Sequence, residues 1–240
     1  MAATVSSAAA QSPPLVSTGV YAQHLMDSAL GLDPGRGIVA LRSESDAPPG
    51  AHLRDSLPLY AAPDAPTPVA WFVQNIEATD TEPLIIRASS AVRPNVMEFA
   101  YEEAGLPSDS LSADGRWARV IYGFAVSGSP LSAWVSLENG RAARHEWTAI
   151  LADQPLFFLP AELPAFFDRP NGTRLDIALS GKPRADYVMY PEQQQGDWMR
   201  VRVVSPSDSC SENSGAPRTA WIRFLQSNGR PRVWYHTRGC

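Results

Sequence analysis

Two parts of the chain alternate apolar and polar residues with a strict period of two. Met199, Val201 and Val203 fall on one side of the alternation, and Trp198, Arg200 and Arg202 on the other. That is the pattern of a half-buried β-strand. A partner strand follows, with Ile222 and Phe224 facing inward and Trp221 and Arg223 outward. Eighty-one residues before Trp198 the pattern recurs: Ala118, Val120 and Tyr122 are expected inside, with Trp117, Arg119 and Ile121 outside. Each stretch therefore predicts a strand pair with Trp residues on its less buried side.

The words repeat as well as the pattern. Gly115-Arg116-Trp117-Ala118-Arg119-Val120 is followed by Ser132-Ala133-Trp134-Val135-Ser136-Leu137 and then Asn139-Gly140-Arg141. Gly196-Asp197-Trp198-Met199-Arg200-Val201 is followed by Thr219-Ala220-Trp221-Ile222-Arg223-Phe224 and then Asn228-Gly229-Arg230. Three blocks in one order, twice, predict two copies of one small β-domain. The Asn-Gly steps are hairpin turn signals. Each copy opens on an apolar, Pro-bounded stretch: Leu57-Pro58-Leu59-Tyr60-Ala61-Ala62-Pro63 is matched to Gln154-Pro155-Leu156-Phe157-Phe158-Leu159-Pro160.

Four segments result. Residues 1–17 read as a flexible tail. Residues 18–50 read as an extension with a short helix near 19–31, stopped by Asp33-Pro34-Gly35, and an edge strand at Ile38–Leu41. Residues 51–150 and 151–240 are the two copies. Strands are predicted at 69–74 and 83–87. For 95–105, Asn95 with Glu98 suits a capping box and Gly105 a helix stop, whereas Met97, Phe99 and Tyr101 alternate as in a strand. The repeat favours strand.

Composition supports an all-β chain. Of 240 residues 22 are proline, about twice the average usage, and proline suits loops and edge strands. The net charge of −5 argues against nucleic acid as a partner. Residues 196–240 depart from it, with seven arginines against Asp197, Asp208 and Glu212. No apolar run is long enough to span a bilayer. The start, Met1-Ala2-Ala3-Thr4-Val5-Ser6-Ser7, resembles the small polar spacer that follows a cleaved signal peptide. The two cysteines, Cys210 and Cys240, both lie in the second copy, and a disulfide between them would tie its longest loop to the C-terminus. Closing that loop stabilises by roughly 3–4 kcal/mol in the chain-entropy treatment. It also favours an oxidising, periplasmic or secreted location.

The chain resembles the bacterial Src-homology-3-like domain family. Leu57-Pro58-Leu59-Tyr60-Ala61-Ala62-Pro63, Gly115-x-Trp117-x-x-Val120 and Ala133-Trp134-Val135 carry the resemblance in the first copy. Leu156–Pro160, Gly196-x-Trp198-x-x-Val201 and Ala220-Trp221-Ile222 carry it in the second. Each copy is longer than the usual family member, and Ala replaces the common Gly before the second Trp. The resemblance implies two tandem small barrels and a binding or targeting role, often toward cell-wall peptides. It implies that Tyr60 with Trp117, and Phe157 or Phe158 with Trp198, line ligand grooves. Trp134 and Trp221, flanked by Arg200 and Arg223, join them as binding candidates, since an exposed aromatic beside Arg can hold an extended peptide.

No catalytic constellation is visible. His24, His52, His145 and His236 lack metal-ligand spacing, and Ser180-Gly181-Lys182 lacks the rest of a phosphate loop. Asn171-Gly172-Thr173 is a glycosylation sequon, relevant only in a eukaryotic secretory pathway. The expectation is a non-enzymatic cell-envelope protein without metal or cofactor. It would hold a peptide, either a peptidoglycan stem or a protein segment, in shallow aromatic and Arg grooves. The alternative is a scaffold that uses the Trp faces as protein–protein interfaces.

Overall fold

The computed structural model describes residues 15–18, 34–42, 56–74, 84–88, 91–100, 103–138, 140–159, 162–179, 187–205 and 215–235. Cys210 and Cys240, with the expected disulfide, the helix near 19–31, and His24, His52 and His236 lie outside the described residues.

The described chain is mostly antiparallel β-structure with one short helix. Its first half holds β1 (Leu15–Thr18), β2 (Gly37–Leu41), β3 (Ser56–Tyr60), β4 (Pro68–Gln74), β5 (Leu84–Ala88) and β6 (Arg93–Pro94). It continues with β7 (Met97–Ala100), β8 (Glu103–Leu111), β9 (Trp117–Phe124), β10 (Pro130–Ser136), β11 (Ala142–Glu146) and the helix α1 (Trp147–Ile150). The second half holds β12 (Phe157–Phe158), β13 (Phe166–Phe167), β14 (Arg174–Leu175), β15 (Val188–Gln195), β16 (Trp198–Val204), β17 (Arg218–Arg223) and β18 (Val233–Trp234). Within 95–105, Met97–Ala100 is strand and a second strand begins at Glu103. Leu15–Thr18, part of the expected tail, pairs with β5.

The repeat in the sequence is a repeat in hydrogen-bond register. Trp117 lies opposite Ser136 and Arg119 opposite Trp134, just as Trp198 lies opposite Arg223 and Arg200 opposite Trp221. The preceding strand of each unit breaks register at matching places, between Ser108 and Ser110 and between Pro191 and Gln193. In the first unit the neighbours run β11-β2-β8-β9-β10-β3-β4, inside an eleven-stranded sheet that continues to β5 and β1. In the second they run β18-β12, then through the Leu156–Met189 bridge to β15-β16-β17-β13-β14. Neither path closes on itself among the described residues.

This register corrects two expectations. Ile38–Leu41 is no edge strand, because β2 pairs β8 on one side and β11 on the other. Its counterpart in the second unit is β12, which pairs β18 as β2 pairs β11. The stretch around Leu156–Phe158 therefore matches β2 rather than Leu57–Tyr60. The counterpart of β3 is β13: Tyr60 lies opposite Trp134, and Phe167 lies opposite Trp221.

β2 is also a shared wall. Val39 packs into the first unit's core with Leu57, Leu59, Phe72, Leu106 and Val120. Ile38 and Ala40, on its other face, pack with Met199, Val201, Ile222, Phe224 and Trp234 of the second unit. A strand buried on both faces reads as an unbroken apolar run rather than an alternation. Gly105 lets β8 approach β2, since a Cβ there would sit 2.6 Å from the Val39 carbonyl oxygen. Across the junction Trp147 packs edge-on against Trp234 with ring centroids 4.9 Å apart, and its Nε1 donates to the Gly35 carbonyl at 3.2 Å. The Tyr235 hydroxyl donates to the Phe99 carbonyl.

Two buried phenols make the fold alkali-sensitive. Burial pushes Tyr187 up to about 12, against a partial offset from the Phe158 N–H that donates to its oxygen. Burial, followed by the charge of Glu98, pushes Tyr235 upward too. Both hydroxyls are neutral in the native state and ionise near 10 when unfolded. Their contribution is complete below about pH 10 and is lost as pH rises through the folded value. A denaturant midpoint that falls between about pH 10 and 12, with phenolate absorbance appearing together with unfolding, is the expected result.

Candidate functional site

The outward faces of β16, β17 and β13 form one surface. Trp198 and Arg223 are cross-strand neighbours on it, as are Arg200 and Trp221, and Phe167 lies opposite Trp221. Met199, Val201, Val203, Ile222 and Phe224 are fully buried beneath, as the alternation predicts. The Phe167 ring meets Trp198 edge-on, with centroids 5.2 Å apart and planes at 88°. Beside this pair opens a cavity of about 370 Å³ lined by Phe158, Leu163, Phe167, Trp198, Arg223 and Arg232. Leu163 stands at its rim, 83% exposed.

The loop that forms one side of the cavity is held by its own backbone. Asp168 N–H donates to Thr173 O at 3.0 Å, Thr173 N–H donates to the Asp168 carboxylate at 2.7 Å, and Gly172 N–H donates to Arg169 O at 2.9 Å. Asn171 takes a positive φ of 56°, a conformation that Asn tolerates better than most residues.

Both cations at the cavity are already neutralised. Arg223 donates to Asp197 at 3.2 Å. Arg232 donates to Glu162 through Nε at 2.8 Å and lies 2.7 Å from it through a second nitrogen, while Gln226 holds the other Glu162 oxygen at 3.1 Å. The Nε–H of Arg223 is buried and meets no acceptor among the described residues. The groove thus offers aromatic walls and an exposed leucine, rather than a bare positive charge.

The equivalent Trp of the first unit is more deeply buried. Tyr60 meets Trp117 edge-on, with centroids 5.7 Å apart and planes at 87°, the same contact as Phe167 with Trp198. Trp117 is only 8% exposed and Ile121 only 3%, so the face that the alternation places outward is covered at both. Trp134 is half-buried beside Tyr60.

The candidates therefore divide. Trp198 and Arg223 line the cavity, and Trp221 lies half-buried next to it. Arg200 is exposed on the same face and pairs with Glu192 at 3.3 Å. Tyr60, Trp117 and Trp134 come together in the first unit. Phe157 is not at a groove; it is 2% exposed in the core, with its ring 6.0 Å from that of Tyr187. Phe158 and Phe167 take the place assigned to it. Phe167, Leu163 and Arg232 were not singled out by sequence. The offset that would have located Phe167 is the strand register, which aligns it with Tyr60.

Among the described residues no cluster of His, Cys, Asp or Glu is arranged to hold a metal, and no helix is long and apolar enough to cross a membrane. No protein-family model matches the chain, and neither a curated protein nor a solved structure is significantly similar to it.

Proposed function

We propose that this is a non-catalytic binding protein whose second unit holds an extended peptide in the groove at Trp198. The observation that carries this reading is the unequal fate of two repeat-related aromatic pairs. Trp117 is buried against Tyr60, whereas Phe167–Trp198 borders an open cavity of about 370 Å³ with an exposed Leu163 at its rim. An apolar pocket with a few placed polar groups is the usual form of a ligand site. Neutralised arginines disfavour a ligand recognised by negative charge alone. Aromatic walls beside an exposed leucine suit an extended peptide.

We read each unit as a small Src-homology-3-like barrel, supported by the Gly-x-Trp-x-x-Val and Ala-Trp-Val/Ile strands and by the strand order common to both units. That resemblance and the Cys210 and Cys240 pair favour the periplasm or cell exterior. The peptide is then a peptidoglycan stem or an envelope protein segment.

Binding to purified peptidoglycan sacculi and to synthetic stem peptides tests the reading, by co-sedimentation and by Trp fluorescence. Saturable binding with a blue shift is expected. Sacculi that leave the protein in the supernatant overturn the cell-wall assignment. A diverse peptide library that yields no binder overturns the groove.

A further inference from the structure

β14 (Arg174–Leu175) contributes no residue to the lining of the groove. Phe166 lies opposite Leu175 and Phe167 opposite Arg174, and beyond them Asp168 N–H donates to Thr173 O. Backbone groups of successive residues in an antiparallel pair point alternately toward one neighbour and the other. Thr173 and Leu175 turn theirs toward β13, so Arg174 and Asp176 turn theirs outward. Among the described residues no strand pairs with that edge. In the first unit the equivalent strand, β4, is not terminal, because β5 pairs its outer side from Ala70 to Gln74. The repeat therefore extends at this position when a strand is supplied.

The side chains continue the alternation past the two residues of β14. Leu175, Ile177 and Leu179 pack against the core, and Arg174, Asp176 and Ala178 are exposed. The exposed charges are opposite in sign and two residues apart. We infer that β14 pairs with β14 of a second copy of this chain, antiparallel about a two-fold axis at Leu175, so that each Arg174 faces the other copy's Asp176.

Charge chooses both the partner and the register. With the axis at Leu175, both outward-directed residues of each copy form hydrogen-bonded cross-strand pairs, and both pairs join opposite charges. Moving the axis to Arg174 sets arginine against arginine, and moving it to Asp176 sets aspartate against aspartate; like charges directly opposite are unfavourable. A one-residue slip turns the backbone groups away from each other. The surface is self-complementary, as an isologous interface requires. One Arg174 nitrogen donates to Pro164 O at 3.3 Å, which holds the guanidinium beside the edge and leaves its other donors for the partner's carboxylate. A cavity of about 310 Å³ lined by Pro164, Phe166, Arg174, Leu175, Asp176 and Ile177 runs along the same strand.

Sedimentation velocity on the full chain across a wide concentration range tests the pairing. The wild type is expected to dimerise. Arg174→Asp and Asp176→Arg each place like charges opposite one another and are expected to weaken dimerisation by roughly tenfold or more. The double exchange, Arg174→Asp with Asp176→Arg, restores opposite charges and is expected to restore the dimer. Both sites are exposed, and unchanged circular dichroism confirms that the variants fold. A wild type that stays monomeric overturns the inference. So does a dimer indifferent to both single exchanges, or a double exchange that stays monomeric.

Discussion

Replacing Trp147 with Ala is expected to lower the stability of the whole chain in one step, rather than loosen one half of it. Trp147 is 1% exposed, follows the last strand of the first unit, and packs against Trp234 near the end of the second. The same core cluster joins Ile38, Ala40, Met97 and Phe99 to Leu156, Met199, Val201 and Tyr235. The second unit's core is therefore walled on one side by β2 and β7 of the first. Removing a buried Trp side chain costs roughly 3–5 kcal/mol, from lost transfer energy and the cavity left behind. For a chain of this length that is a fall in Tm of roughly 10 °C. Trp147→Phe keeps most of the packing and loses the bond to Gly35 O, so its cost is smaller, about 1 kcal/mol. Calorimetry or denaturant melts followed by Trp fluorescence and far-ultraviolet circular dichroism distinguish the cases. Coincident transitions that shift together are expected. Two separable transitions, with only one moved by Trp147→Ala, would mean that the units fold independently despite the shared wall.

The same shared wall explains what could and could not be read from the sequence. The two hairpins were legible because alternation and the Gly-x-Trp-x-x-Val words are local. Met199, Val201 and Val203 are buried, and Arg200 and Arg202 exposed, as period two requires. The role of β2 was not legible. Ile38, Val39, Ala40 and Leu41 form an unbroken apolar run, and only long-range pairing distinguishes an edge strand from one buried on both faces. Trp117 was assigned outward for a related reason. Alternation separates two faces, but it does not say that Tyr60, from a strand more than fifty residues earlier, lies against the second one. Phe157 was misplaced because proline-bounded apolar stretches were matched by appearance. The pairing register aligns Tyr60 with Phe167 instead, across loops whose lengths differ between the units.

The difference between the two aromatic pairs leads to a reciprocal result for Trp117 and Trp198. Both sit at the same register position, both meet an aromatic ring edge-on, and both follow a tight turn at a positive-φ glycine, Gly115 or Gly196. Trp117 is 8% exposed, so Trp117→Ala is expected to act on stability, at roughly 3–5 kcal/mol, and to leave ligand affinity unchanged in the fraction that folds. Trp198 is half-buried and lines the cavity, with Phe167 on one side and Arg223 across the strand. Trp198→Ala removes the groove's largest wall, and an aromatic anchor of this kind is worth about 2 kcal/mol or more in binding, or roughly thirtyfold in Kd. Its stability cost is smaller than that of Trp117→Ala, because part of its surface already meets solvent. Arg223→Lys separates the walls from the guanidinium. It retains the charge beside Asp197 but removes the planar guanidinium that lines the cavity, so affinity for the peptide falls while the melting temperature stays close to wild type. Titration of the peptide selected on the wild-type protein, run beside thermal melts of the three variants, gives both quantities for each. If Trp117→Ala lost affinity while Trp198→Ala kept it, the ligand site would move to the first unit. Equal effects of the two on stability alone would remove the groove from the function.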